Sequence, residues 1–278
     1  MEKLTSFDRV IGPISEIEKD DILIDSEEAF KNQTFKELAG QEREKSAEEI
    51  QIINLANEAI NKIRNEYNLP TFNIPAENIH VIKEEDWTQT GKAYFSPLTQ
   101  SICVKSTESK LIFLEKVTHE IIHFKSYSAL QITNTEEPRV DGYRLGLSII
   151  SRDGKTTYFE KLDEAVTEEL TKKVVLELMN GPLFNNEGDK TEQTKANLFT
   201  YKEEREFLNN LIDKIFEVNK EKFKNKDELM EIFYKGMLNG NIFPLAKLVD
   251  SSFGKGSFRR LGELDQKLKE KKDFIESL

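Results

Sequence analysis

His119 and His123 stand four residues apart, with Glu120 beside the first, in the run His119-Glu120-Ile121-Ile122-His123. On an α-helix, residues i and i+4 lie one above the other, so both imidazoles could bind a single cation. A carboxylate next to the first histidine could reach a water held by that cation and act on it as a base. The chain has only three histidines, and two of them have this spacing. A surface helix with two incidental histidines would read the same over so short a stretch, so a third ligand is needed to separate the readings. Asp163-Glu164-Ala165-Val166-Thr167-Glu168 offers one, because it puts Glu164 and Glu168 one helical turn apart on a single face. Two histidines, one glutamate and a water form one of the standard open coordination sets of zinc. Taken alone, the two glutamates equally fit an acidic helix start favoured by the macrodipole.

Together, His119-Glu120-x-x-His123 and Glu164-x-x-Thr167-Glu168 resemble the gluzincin branch of the zincin metallopeptidases, the branch that includes thermolysin. The likeness covers about residues 75 to 180. It implies an α+β fold: a zincin-like catalytic domain with a small sheet and a motif helix, followed by a mostly helical C-terminal subdomain. It further implies one Zn2+ per chain, held by His119, His123 and Glu164, with Glu168 accepting a hydrogen bond from His119 and Glu120 acting as general base. The substrate would be a peptide or protein laid along an edge strand. Ala93-Tyr94-Phe95 is the candidate for that strand, the alternative being an interior strand of a hairpin. Two features depart from the family pattern. Asp163 stands where asparagine is usual, and the interval from His123 to Glu164 is longer than in thermolysin-like members. The downstream histidine or tyrosine that often stabilises the oxyanion has no match by motif. Tyr143, Arg144, Tyr201 and Arg205 are candidates, although Tyr201 and Arg205, four apart, also read as a surface tyrosine stacked on arginine. The rival reading is a catalytically silent zincin fold or a helical interaction protein with an acidic surface. The intact Glu120 separates the two, since a silent site has no need of it.

The elements that must position these residues are legible in part. Ser46 and Glu49 form a capping-box pair, and Ile50, Ile53, Ala56, Ile60 and Ile63 repeat at helical spacing, predicting a helix from Ser46 to about Tyr67 that stops before Pro70. Ile79–Ile82, Ala93–Phe95 and Ile102–Val104 read as strands, the last two joined by a turn at Ser96-Pro97-Leu98-Thr99. A helix over Ser109–Ser126 carries the stripe Leu111, Leu114, Val117, Ile121 and Phe124 beside the histidines. Tyr143–Ile150 and Lys155–Phe159 read as two strands joined by a hairpin at Asp153-Gly154. A helix is expected from Asp163 to Leu178, a polar loop over Asn185–Thr194, then helices over Tyr201–Val218 and Asp227–Leu238, a short turn around Leu245–Val249, and a last helix from Leu261 onward. The expected organisation is therefore an N-terminal arm (1–45), a catalytic region (46–184) and a helical subdomain (185–278).

Composition limits the partners. The formal net charge is −11, from 51 acidic against 40 basic residues, which argues against nucleic acid or an anionic membrane. The lysines at 267, 269, 271 and 272 alternate with acids and read as a solvated helix face. No run of eighteen apolar residues occurs, so no membrane-spanning helix is expected. The single cysteine, Cys103, lies in a β-run and reads as a small buried residue, and His80 reads as structural. Residues 1–8 lack the basic patch and apolar run of a signal peptide, so a cytoplasmic protein is expected. Gly254-Lys255-Gly256-Ser257 is too short and out of context for a phosphate loop.

Overall fold

The computed structural model describes residues 7–32, 40–185, 198–265, 267, 270, 271, 273 and 274. Among these residues the chain forms eight α-helices and two small sheets, a mixed helix-and-sheet architecture. It divides into two compact units that interleave along the sequence. One comprises Met1–Phe7, Ser15–Lys125 and Leu170–Thr200; the other comprises Asp8–Ile14, Ser126–Glu169 and Tyr201–Leu278. No helix among the described residues is long and apolar enough to cross a membrane.

In the first unit, α1 (Glu16–Asn32) and α2 (Ala47–Glu66) precede a three-stranded sheet. The α2 N-terminus carries the full capping box: the Ser46 side chain accepts the Glu49 N–H, and the Glu49 carboxylate accepts the Ser46 N–H. Ile53, Ala56 and Ile60 are buried, whereas Ile50, expected in the same stripe, is exposed. Strands β2 (Ile79–Ile82), β3 (Ala93–Ser96) and β4 (Ser101–Lys105) pair in the order β2-β4-β3, with β2 parallel and β3 antiparallel to β4. The outer side of β2 is covered: Arg43 N–H donates to the Val81 carbonyl and Lys83 N–H to the Gln41 carbonyl, each at 3.0 Å. The motif helix α3 (Lys110–Lys125) packs on α2, β3 and β4. Every α3 side chain from Phe113 onward is buried. Phe124 gathers Phe95, Phe30 and Phe72 around its ring at 4.8, 5.7 and 6.3 Å, the offset and edge-on spacings that aromatic pairs favour.

The second unit is built on a five-stranded sheet of β1 (Arg9–Ile11), β5 (Ser128–Ile132), β6 (Val140–Leu145), β7 (Ser148–Ile150) and β8 (Thr157–Tyr158), in that spatial order. The β1–β5 pair is parallel and the others are antiparallel. Residues read as an arm therefore supply a strand, with Val10 buried, and Phe30 reaches the Phe124 cluster. The expected continuous strand over Tyr143–Ile150 is instead two strands folded back at Gly146-Leu147. Gly146 has φ +57°, a conformation that costs glycine least.

Four helices, α5 (Lys202–Val218), α6 (Lys226–Asn239), α7 (Phe243–Phe253) and α8 (Ser257–Glu263), complete this unit. The turn expected around Leu245–Val249 is thus a full helix, opened by Pro244 in its first turn. The last helix expected from Leu261 begins earlier, at Ser257, and is interrupted after Glu263, with Glu270, Lys271, Asp273 and Phe274 again helical. Lys271 is not solvated: it is buried, 2.7 Å from Asp265 Oδ1 and 4.2 Å above the Phe207 ring. Lys269 and Lys272, and positions 186–194 of the expected polar loop, lie outside the described residues. The remaining helix, α4 (Glu160–Leu178), contributes residues to both units.

Candidate metal centre

Burial of α3 on nearly all sides brings its polar residues indoors with its apolar ones. His119, Glu120 and His123 are 5%, 7% and 6% exposed. The His119 and His123 rings meet edge-on with centroids 4.8 Å apart, and their Nε2 atoms lie 3.1 Å from each other. Two bare imidazole lone pairs facing at that distance repel, so the arrangement calls for a proton or a cation between them.

Helix α4 supplies the third group. It starts at Glu160, directly after Phe159 in a left-handed conformation, one turn earlier than the expected Asp163. Glu164 therefore sits in the second turn and Glu168 in the third, beyond the first turn in which the macrodipole acts. The reading of both as an ordinary acidic helix start does not describe them. Glu164 is half-buried, while Thr167 and Glu168 are fully buried. One ligand atom each from His119, His123 and Glu164 lie within 4.8 Å of one another. The donor set, two neutral nitrogens and one carboxylate, suits zinc in number and type. Glu120 follows His119 directly, and Glu168 lies one turn beyond Glu164 on the same face of α4.

The other sequence candidates have varied fates. Arg205 Nε is held by Glu169 Oε1 at 2.7 Å, which ties it to α4. Tyr201 is the N-cap of α5, half-buried in a left-handed conformation, and Tyr143 is half-buried on β6. Arg144 is buried and donates to the carbonyls of Gly146, Gly240 and Gly236, which makes it a support for the turn after β6 and the end of α6. Strand β3, with Ala93, Tyr94 and Phe95, forms one edge of its sheet and pairs only with β4 among the described residues. The Trp87 and Tyr94 rings lie 5.9 Å apart, tilted by 41°. His80 Nδ1 lies 2.9 Å from Glu42 Oε2, a structural pairing. Burial pushes the Cys103 thiol up to about 11, far from a nucleophile's range.

Sequence reasoning missed the contact of Asp163 with the turn at Gly146-Leu147, where the Leu147 N–H donates to Asp163 Oδ1 at 2.6 Å. The glycine inside the apparent β-run Leu145-Gly146-Leu147 was the available signal, since an isolated glycine in a strand pattern marks a turn or a close approach. Compared with known proteins, the chain matches no family model, no curated protein and no solved structure.

Proposed function

We propose that this chain is a zinc-dependent metallopeptidase of the gluzincin type, with His119, His123 and Glu164 as zinc ligands and Glu120 as general base. The observation that carries the proposal is the cluster itself. Three ligand-type side chains from two helices far apart in sequence lie within 4.8 Å, and two of them present nitrogens 3.1 Å apart. A metal-ligating set with only three protein groups leaves a coordination position open, as catalytic sites do and purely structural ones do not.

Zinc bound there would supply Lewis-acid polarisation of a scissile carbonyl and acidify a nearby water to a pKa of about 7. Glu120 accepts the proton that the attacking water loses and passes it to the departing amine, so peptide hydrolysis stays balanced without another acid. Glu168 serves by orienting the His119 imidazole, the usual work of a buried carboxylate behind a ligating histidine. Strand β3 receives the peptide by main-chain pairing, because its outer edge carries no second strand among the described residues.

Glu120→Gln keeps the size of the side chain and removes its basicity. The variant is expected to retain zinc and to lose peptide hydrolysis by roughly 10²- to 10⁴-fold. The check is turnover of a mixed peptide library at matched zinc loading. Equal turnover by wild type and variant would reject Glu120 as the base, and a zinc-loaded wild type inert on every peptide would reject the peptidase reading.

A further inference from the structure

Helix α4 delivers Glu164, and three contacts from elsewhere in its unit hold its beginning. Phe159 stacks on the Phe258 ring at 4.6 Å. The Lys161 N–H donates to Asp265 Oδ2 at 2.8 Å. The third contact adjoins the candidate ligand itself: Asp163, 2% exposed, accepts the Leu147 N–H at 2.6 Å. Leu147 is the second residue of the turn joining β6 to β7, and Gly146 is the first. A side chain at Gly146 would collide with the Asp163 carboxylate and crowd Met237. The turn is thus shaped to the aspartate: its glycine leaves the room, and its next residue supplies the donor.

Consecutive helical residues project about 100° apart, so Asp163 gripping the turn and Glu164 facing the histidines are two faces of one rotational setting. The sensitivity is high. A rotation of α4 by about 10° carries an atom at a side-chain radius of about 5–6 Å through roughly 1 Å. Metal–ligand bonds tolerate about 0.2 Å. We propose that Asp163 is a positioning residue of the metal centre: its hold on the Leu147 N–H sets the rotation of α4 and thereby places the Glu164 carboxylate. The inference rests on the zinc reading of His119, His123 and Glu164.

The test uses the full chain, stripped of metal and titrated with zinc against a chromophoric chelator, with cobalt as a spectroscopic probe. Asp163→Asn keeps the acceptor oxygen and should bind zinc within about 3-fold of wild type. Asp163→Ala should weaken zinc by roughly 10- to 100-fold, the range seen when a support behind a ligand is removed. Asp163→Glu keeps charge and acceptor but lengthens the reach, so it should weaken zinc about 10-fold and alter the cobalt spectrum even if Asp163→Ala fails to fold. Leu211→Ala, a buried residue of α5, is the control for general loss of stability and should leave zinc affinity unchanged. Wild-type affinity in both Asp163→Ala and Asp163→Glu overturns this inference and leaves the zinc site standing. Equal weakening by Leu211→Ala also overturns it, because the effect would then be one of stability. A wild type that binds no zinc overturns the proposed function and this inference with it.

Discussion

The two helices that carry the candidate ligands both bury apolar residues, Leu162, Ala165, Val166 and Leu170 among those of α4, but differ in the further contacts that fix them. Helix α3 is enclosed: its side chains are buried from Phe113 to Lys125, and an aromatic cluster closes on Phe124. Helix α4 is located at its start by discrete contacts, Asp163 to the Leu147 N–H, Lys161 N–H to Asp265, and Phe159 on Phe258. Apolar enclosure is non-directional and sets where α3 lies, leaving the i, i+4 geometry to align its histidines. Hydrogen bonds are directional, and in the proposed role of Asp163 they would set how α4 is turned. By that contrast, the proposed metal centre would draw its stability mainly from one helix and its alignment from the other.

That contrast can be broken most readily on α3. Phe124→Ala should destabilise the protein by about 3–5 kcal/mol, the cost of emptying a buried aromatic site, read as a shift in denaturant midpoint. A loss below about 1 kcal/mol would mean that the cluster does not hold α3. On α4 the effect should appear in the metal instead. Glu168→Ala should weaken zinc binding by roughly 10- to 100-fold, and an unchanged affinity would show that Glu168 orients no ligand.

The smallest effect belongs to α2. Burial pushes the Glu49 carboxyl up, but hydrogen bonds from Arg43 and from the Ser46 N–H outweigh it and hold the group below its ordinary value. A depressed carboxyl contributes stability above its unfolded pKa of about 4.3 and loses it as pH falls through the folded value. Glu49→Gln should therefore cost about 0.5–1 kcal/mol at pH 7, and the difference from wild type should vanish in acid. A difference that persists or grows below that pH would contradict the assignment.

Ease of reading and energetic weight are distinct. The capping box of Ser46 and Glu49 was legible because both partners lie within one turn, and the histidine pair was legible for the same reason. The α4 start was misplaced by one turn because Phe159, a bulky residue at φ +60°, gives no local stop signal. Strands β1 and β5 escaped notice: they are short, and each depends on a parallel partner more than a hundred residues away. Lys271 read as solvated because the groups that bury it, Asp265 and Phe207, are recognisable only after folding. The spacing brought out the histidine pair, and the resemblance added Glu164 as a proposed ligand, whereas hydrogen bonds such as that from Leu147 to Asp163 leave no periodic trace.

The central claim is that His119, His123 and Glu164 hold one zinc ion, and titration of metal-free protein with zinc tests it most directly. Wild type should take up about one zinc per chain. His123→Ala should lose that binding while keeping its far-ultraviolet circular dichroism, because α3 is held by its apolar contacts and not by the ion. A His123→Ala protein that still binds one zinc with wild-type affinity would contradict the account.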